Sequence, residues 1–118
     1  MKKIILYSYS KCSTCRKAEK WLKSKDFEFQ LIDIVKEPPL VNYLNLALKQ
    51  YSDDKKRIFN TRGKAFKSIN LDIDPLSSEE IIQLLLSDGK LIKRPFLVYE
   101  EKKVILGFNE IEYAKQFK

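Results

Sequence analysis

The chain contains two cysteines, Cys12 and Cys15, and they are separated by only two residues. They follow the apolar run at residues 4–7 and precede an amphipathic segment that starts at Arg16. A CxxC pair between a strand and a helix is typical of thiol–disulfide chemistry, because the helix N-terminus stabilises a thiolate and the second thiol can resolve a mixed disulfide. The sequence therefore predicts Cys12 as the attacking thiolate and Cys15 as the resolving thiol.

Other roles for a CxxC pair fit this chain less well. A structural zinc site needs four ligands, and the chain has no third cysteine and no histidine. A phosphatase-type loop would need arginine at the sixth residue after Cys12, where the chain has Ala18. An alternative that stays open is that the two cysteines are simply small buried core residues without a chemical role. The polar neighbours of the pair favour an exposed, electropositive site instead: Ser10, Lys11, Ser13 and Arg16.

The length, apolar fraction and net charge of the chain predict the number of domains and the character of the surface. A chain of 118 residues with 44% apolar residues is large enough for a core, so residues 1–118 are interpreted as a single domain. The net charge of +7 comes from 23 basic residues interleaved with 16 acidic ones. This pattern favours a solvated surface over direct DNA binding, with anionic substrates or acidic partners as the next interpretation.

The start of the chain predicts its location. The apolar stretch at residues 4–7 is too short for a signal core or a membrane span. Together with the lone CxxC pair, this indicates a cytoplasmic protein with no membrane contact.

The first forty residues predict a βαβ unit. Residues 3–7 form a buried strand, residues 14–25 an amphipathic helix, and residues 27–34 a second strand in which Phe27, Phe29 and Leu31 share one face. Pro38 and Pro39 then break the chain before a helix that extends to Lys49.

The second half predicts more helices and a ββα unit. Asn60 and Thr61 are expected to cap a short helix, and a capping box at residues 77–80 opens a helix that runs through residue 86. Two strands follow at residues 96–100 and 104–106, and Asn109 caps a last helix. The predicted apolar face of that helix is Ile111, Ala114 and Phe117. The whole pattern predicts an α/β fold of the thioredoxin/glutaredoxin type, with a helical insertion at about 37–93.

Four segments together resemble the ArsC/Spx family, and the match runs across the whole chain. In order they are YSYSKCSTCRKA at residues 7–18, NTRG at 60–63, LIKRP at 91–95 and GFNE at 107–110. The family includes arsenate reductases coupled to glutaredoxin and Spx-type transcription regulators that bind the RNA polymerase α subunit. The resemblance implies a thioredoxin-like fold and a site at the end of the first strand.

The resemblance also implies roles for individual residues. Cys12 matches the nucleophile, Arg62 and Arg94 match arginines that hold the oxyanion, and Pro95 matches a cis-proline beside the redox centre. Arginine suits such a role because its planar fork binds tetrahedral oxyanions. The alternatives are surface ion pairs for the two arginines and the start of an edge strand for Pro95. No bound cofactor or metal is expected, and glutathione or glutaredoxin would be the external reductant.

The chain departs from the pattern of both the arsenate reductases and the Spx-type regulators, so two functions are predicted. Ser8 stands where the arsenate reductases carry histidine, and residues 103–107 lack their third arginine, which argues against efficient arsenate reduction. Cys15 is present, as in the Spx-type regulators, but Asp54 replaces a glycine that those regulators use against polymerase. The leading prediction is a thiol–disulfide oxidoreductase that acts on an oxyanion or a mixed disulfide. The alternative is a redox-switched regulator that binds the RNA polymerase α subunit.

Overall fold

The computed structural model describes residues 3–117 and contains four strands and five helices within that range. The strands are β1 (Ile4–Ser8), β2 (Gln30–Asp33), β3 (Phe96–Tyr99) and β4 (Lys103–Leu106). The helices are α1 (Ser13–Ser24), α2 (Val41–Gln50), α3 (Lys64–Ile69), α4 (Ser78–Ser87) and α5 (Glu110–Gln116). Two 3₁₀ turns, Lys55–Ile58 and Gly89–Leu91, lie between helices and strands of the second half.

The strands form one mixed sheet in the order β2-β1-β3-β4. Strand β1 pairs parallel with β2 and antiparallel with β3, and β3 pairs antiparallel with β4. Helix α1 makes the crossover between β1 and β2, and helices α2–α4 are inserted between β2 and β3. This arrangement confirms the predicted thioredoxin-like α/β fold with a helical insertion.

The core lies on both faces of the sheet because successive residues of β1 point to opposite sides. Ile5 and Tyr7 belong to a cluster that includes residues of α2 and α4. Ile4 and Leu6 belong to a second cluster built with α1 and α5. All five residues of β1 are buried, so the strand that leads to the CxxC pair is fixed from both sides.

Two predicted helix starts are confirmed. At α4 the Ser77 hydroxyl accepts from the Glu80 N–H at 3.1 Å, and the Glu80 carboxylate accepts from the Ser77 N–H at 2.9 Å. At α5 the Asn109 side chain accepts from the Glu112 N–H at 3.0 Å. These side chains satisfy N–H groups that have no partner within the helix.

Other local predictions were wrong. Gly63, not Asn60 or Thr61, occupies the cap position of α3, and it makes no side-chain hydrogen bond there.

The second strand, predicted at residues 27–34, is shorter in the structure, because β2 begins at Gln30 and Phe27 and Phe29 precede it. Leu31 is 53% exposed on this edge strand.

The predicted apolar face of α5 was wrong in two of its three residues. Ile111 is 69% exposed and Ala114 is exposed, whereas Tyr113 and Phe117 are buried. Tyr113 and Phe117 are four residues apart and therefore share a helix face, from which Ile111 points away.

Among residues 3–117, no helix is both long and apolar enough to cross a membrane.

Candidate active site

The CxxC pair lies at the C-terminal end of β1, where the chain turns into α1. Cys12 is the N-cap residue of the helix, and its Sγ accepts a hydrogen bond of 3.2 Å from the Cys15 N–H. The Cys12 N–H donates to the Tyr9 carbonyl at 3.0 Å, which closes the turn. The Cys12 sulfur is therefore held at the positive end of the helix dipole, a position that stabilises an anion.

The two thiols differ strongly in their surroundings. Cys12 is partly exposed, whereas Cys15 is fully buried. Burial, reinforced by the neighbouring Cys12 side chain, raises the pKa of Cys15 to about 12. Cys15 is therefore a protonated thiol at neutral pH, placed within hydrogen-bonding reach of the partly exposed Cys12.

Arg94 and Pro95 lie on the segment that enters β3. The peptide bond between them is cis, the isomer expected from the resemblance, and Pro95 is buried. The Arg94 guanidinium carbon lies 5.0 Å from the centre of the Tyr9 ring, and its Nη1 donates to the Lys90 carbonyl at 3.3 Å. Tyr9 thus contacts Arg94 through its ring and Cys12 through its carbonyl, which places Arg94 beside the loop that carries Cys12.

Arg62 is exposed and lies in a groove of about 530 Å³. Four basic side chains and one acidic side chain line this groove: Lys56, Arg57, Arg62, Lys93 and Asp54. Neither Cys12 nor Arg94 is among its lining residues. The structure therefore places Arg94 beside the loop that carries Cys12, and Arg62 in this cationic groove.

Backbone pairing explains why Arg62 and Lys93, which is two residues before Pro95, line the same groove. Phe59 and Ile92 form an antiparallel bridge, flanked by hydrogen bonds of 2.8 Å from Asn60 N–H to the Leu91 carbonyl and from Lys93 N–H to the Ile58 carbonyl. The bridge holds the segment before Arg62 against the segment that leads to Arg94.

Sequence reasoning missed one pair of residues at the site. Ser8 is only 4% exposed, and its hydroxyl donates a 2.9 Å hydrogen bond to Glu19 Oε2. In the sequence Ser8 stands out only as a replacement for histidine, and no motif singles out Glu19. The available signal was spacing, because Glu19 follows Cys15 by four residues and therefore shares its helix face.

The groups that the site offers for chemistry are two thiols and the fixed charges near them. Among residues 3–117, no three Cys, Asp or Glu side chains are grouped so that they could hold a metal ion. A partly exposed sulfur at a helix start, a second thiol behind it and an arginine beside the same loop are suited to thiol–disulfide exchange or to covalent adduct formation with an anion.

Comparisons with known proteins identify the family. The chain is 38% identical to the uncharacterized protein YusI of Bacillus subtilis, with 97% of this chain and 98% of YusI covered. It is 35% identical over 112 residues to the global transcriptional regulator Spx of Lactiplantibacillus plantarum, with 95% and 84% covered. A possible arsenate reductase from Streptococcus mutans superposes with a TM-score of 0.87 at 36% identity, with 97% and 98% covered. The ArsC family model matches residues 7–116, and the chain therefore belongs to the ArsC family.

Proposed function

We propose that this protein is a thiol–disulfide oxidoreductase of the arsenate reductase-like group. One observation carries the proposal: Cys12 Sγ caps the start of α1 through a 3.2 Å hydrogen bond from the Cys15 N–H, with the Cys15 thiol buried directly behind it. An accessible sulfur at a helix N-terminus and a second thiol within reach are the two parts that a dithiol exchange mechanism needs.

The proposed cycle uses the two thiols in sequence. The Cys12 thiolate attacks one sulfur of a disulfide substrate, forms a mixed disulfide and displaces the other sulfur as a thiolate. Cys15 then attacks Cys12 Sγ, which releases the second substrate thiolate and leaves a Cys12–Cys15 disulfide. The substrate gains two electrons, and an external thiol such as glutathione or glutaredoxin restores the protein dithiol. With arsenate, the Cys12 thiolate would instead form a bond to arsenic while one arsenic–oxygen bond breaks, and that oxygen would leave as water with protons taken from solvent.

Arg94 is the proposed anion-binding group next to the thiols. Its guanidinium lies against Tyr9, and the Tyr9 carbonyl accepts from the Cys12 N–H, so a substrate anion on Cys12 would lie close to a positive charge. Arg62 would act from the cationic groove, where an anionic portion of a larger substrate such as glutathione would meet several basic side chains.

A second candidate function is a redox-switched transcription regulator that binds the RNA polymerase α subunit. Two of the similar proteins are the global transcriptional regulator Spx of Lactiplantibacillus plantarum and the regulatory protein MgsR of Bacillus subtilis, both 35% identical. The cationic groove would be the contact surface for an acidic partner, and Cys12–Cys15 oxidation would alter the affinity for it.

One paired experiment separates these functions. The full chain would be assayed for turnover with arsenate and with a glutathione mixed disulfide, each with glutathione and glutaredoxin, beside a pull-down on the RNA polymerase α subunit. Turnover that is lost in the Cys12→Ser variant would support the oxidoreductase. Lys49→Ala, on the exposed side of α2, is the control and should keep the wild-type turnover. Stoichiometric binding to the α subunit without turnover would support the regulator instead.

A further inference from the structure

A groove of about 940 Å³ runs beside α4 and is separate from the two sites described above. Its walls are α2, α4 and the loop between α3 and α4, and the lining residues that the structure describes include none from the CxxC pair or the cationic groove. Apolar side chains line it from all three walls: Val41, Leu71, Leu76, Ile82 and Leu84. Val41 is 47% exposed and Leu71 is 51% exposed. Exposed apolar side chains gathered in one groove mark an interaction surface.

The charge around this groove is opposite in sign to that of the whole chain. The chain has 23 lysines and arginines and a net charge of +7, yet none of these basic residues falls within residues 37–48 or 68–89, which contain the lining residues. The same two stretches contain six acidic residues: Glu37, Asp72, Asp74, Glu79, Glu80 and Asp88. Glu79 and Glu80 line the groove, and Asp72 and Asp74 are exposed in the loop before α4. This acidic groove therefore carries negative charge on a chain that is basic elsewhere.

The carboxylates of the acidic groove are open to a cation from outside the chain. Within the described part of the chain, the one salt bridge involves none of them. Glu80 is engaged in the capping box, where its carboxylate accepts from the Ser77 N–H at 2.9 Å. Lys55 reaches the loop before α4, but its Nζ donates to the Leu76 carbonyl at 3.3 Å. The Glu79 side chain is exposed and has no ion-pair partner among residues 3–117.

The walls of the acidic groove favour a helix as its occupant. The sheet edges are β2 and β4, and neither strand contributes a described lining residue, so the groove offers side chains rather than unpaired strand backbone. The 10 residues of α4, at about 1.5 Å per residue, give a wall about 15 Å long. That length accommodates about three turns of a second helix, whose apolar side chains at i, i+3 or i+4, and i+7 would enter the groove.

We propose that the acidic groove binds a basic amphipathic helix of a partner protein. The apolar side chains of that helix would cover Val41 and Leu71, and its lysines and arginines would lie against Glu79 and the exposed carboxylates of the loop. A second copy of this chain is a poorer occupant, because a two-fold contact would place one acidic groove against another. The proposal uses neither thiol, so it stands or falls independently of the proposed oxidoreductase function.

The test uses the full chain and a designed peptide as the probe. The peptide has about 14 residues, or about four helical turns, with leucines on one face, lysines on the other and a fluorescent label. We expect saturable one-to-one binding by fluorescence anisotropy at about 0.15 M salt, where attraction between distant exposed charges is largely screened. A peptide of the same composition, scrambled so that its leucines share no face, is expected to bind at least about tenfold more weakly.

Two variants locate the binding in the acidic groove. Leu71→Ser removes an exposed apolar contact and Glu79→Lys reverses an exposed charge, and each should weaken binding about tenfold. The matched controls are Ile111→Ser, on α5, and Glu28→Lys, after α1, which change exposed residues of the same types and should keep the wild-type affinity. Helix α5 packs on the face of the sheet opposite α2 and α4. Circular dichroism would establish that each variant is folded.

Several outcomes would overturn the proposal. No saturable binding of the basic peptide, or equal binding of the scrambled peptide, would remove the amphipathic helix as the occupant. Unchanged binding in Leu71→Ser and Glu79→Lys, or equal losses in Ile111→Ser and Glu28→Lys, would show that the peptide binds elsewhere. A dimer of the chain alone in analytical ultracentrifugation that Leu71→Ser dissociates would assign the groove to a second copy instead.

Discussion

At the scale of single residues, the protein separates two identical side chains by burial. Cys12 is partly exposed at the helix start, and Cys15 is fully buried one turn later. We predict that a sub-stoichiometric amount of iodoacetamide at neutral pH labels Cys12 before Cys15, because the thiolate is the reactive form and access to Cys15 is blocked. Mass mapping of the labelled peptides would measure the ratio. Label found chiefly on Cys15 would reverse the roles assigned to the two thiols.

The buried thiol also predicts how stability changes with pH. The pKa of Cys15 is raised from 9.0 to about 12 in the folded protein, mainly by burial. Since the raised pKa belongs to the folded state, the stabilisation is complete below pH 9 and is lost as the pH rises from 9 toward 12. The free energy of unfolding of the reduced wild type should therefore fall more steeply over that window than that of Cys15→Ala. Parallel curves from chemical denaturation would contradict the buried-thiol assignment.

The site residues that sequence could predict were those with a local signal. Cys12 and Cys15 could be assigned because a CxxC pair between a strand and a helix carries its chemistry in its spacing. The partnership of Ser8 with Glu19 joins a strand to a helix, so no short motif reveals it. The groove around Arg62 depends on the bridge between Phe59 and Ile92, which are far apart along the chain.

At the scale of elements, one close approach fixes the helical insertion against the sheet. A Cβ added to Gly89 would lie 2.1 Å from the Ile34 carbonyl oxygen, a backbone atom just after β2. Gly89→Ala is therefore expected to lower the free energy of unfolding by about 2–3 kcal/mol, the upper part of the usual range of about 1–3 kcal/mol for overpacking, because the atom it meets belongs to the backbone.

Gly63→Ala is the comparison for Gly89→Ala. The nearest atom to its added Cβ is Asn60 Nδ2, at 2.6 Å, which belongs to a side chain that can move aside. This variant should lose about 1 kcal/mol, chiefly because alanine is a poor N-cap residue. Urea denaturation would measure both variants, and equal losses would contradict the close-approach argument.

Element types were predictable where local chemistry decided them. The capping box at Ser77 and Glu80 and the cap at Asn109 marked two helix starts correctly. The burial of single positions was less predictable because it depends on neighbours in space. Ile111 matched a helical period yet is exposed, since α5 presents Tyr113 and Phe117 to the core.

At the scale of the whole molecule, the fold brings the segment before β3 to the loop that carries the CxxC pair. The Gly107 N–H donates to the Pro95 carbonyl at 2.9 Å, so the end of β4 lies beside the cis-proline segment. These contacts place Arg94, from the second half of the chain, against Tyr9 in the first. The anion site that we propose therefore requires the folded sheet.

The proposed anion site predicts a graded effect of Arg94 substitution. Arg94→Ala should weaken arsenate or sulfate binding about tenfold or more, the loss expected for a charge-assisted hydrogen bond of about 1.5–3 kcal/mol. Arg94→Lys keeps the charge without the planar fork and should fall between the wild type and Arg94→Ala. Titration calorimetry would measure the affinities, with Lys49→Ala as the control. Unchanged binding in Arg94→Ala, or an equal loss in Lys49→Ala, would remove Arg94 from the site.

The central claim is that Cys12 and Cys15 act as one reversible redox pair. The most direct measurement is non-reducing peptide mapping of the full chain after treatment with one equivalent of glutathione disulfide. We predict a monomer that has lost two hydrogens, with Cys12 and Cys15 linked to each other and restored to thiols by dithiothreitol. Persistent free thiols, glutathione retained on Cys12, or disulfide-linked dimers would contradict the claim.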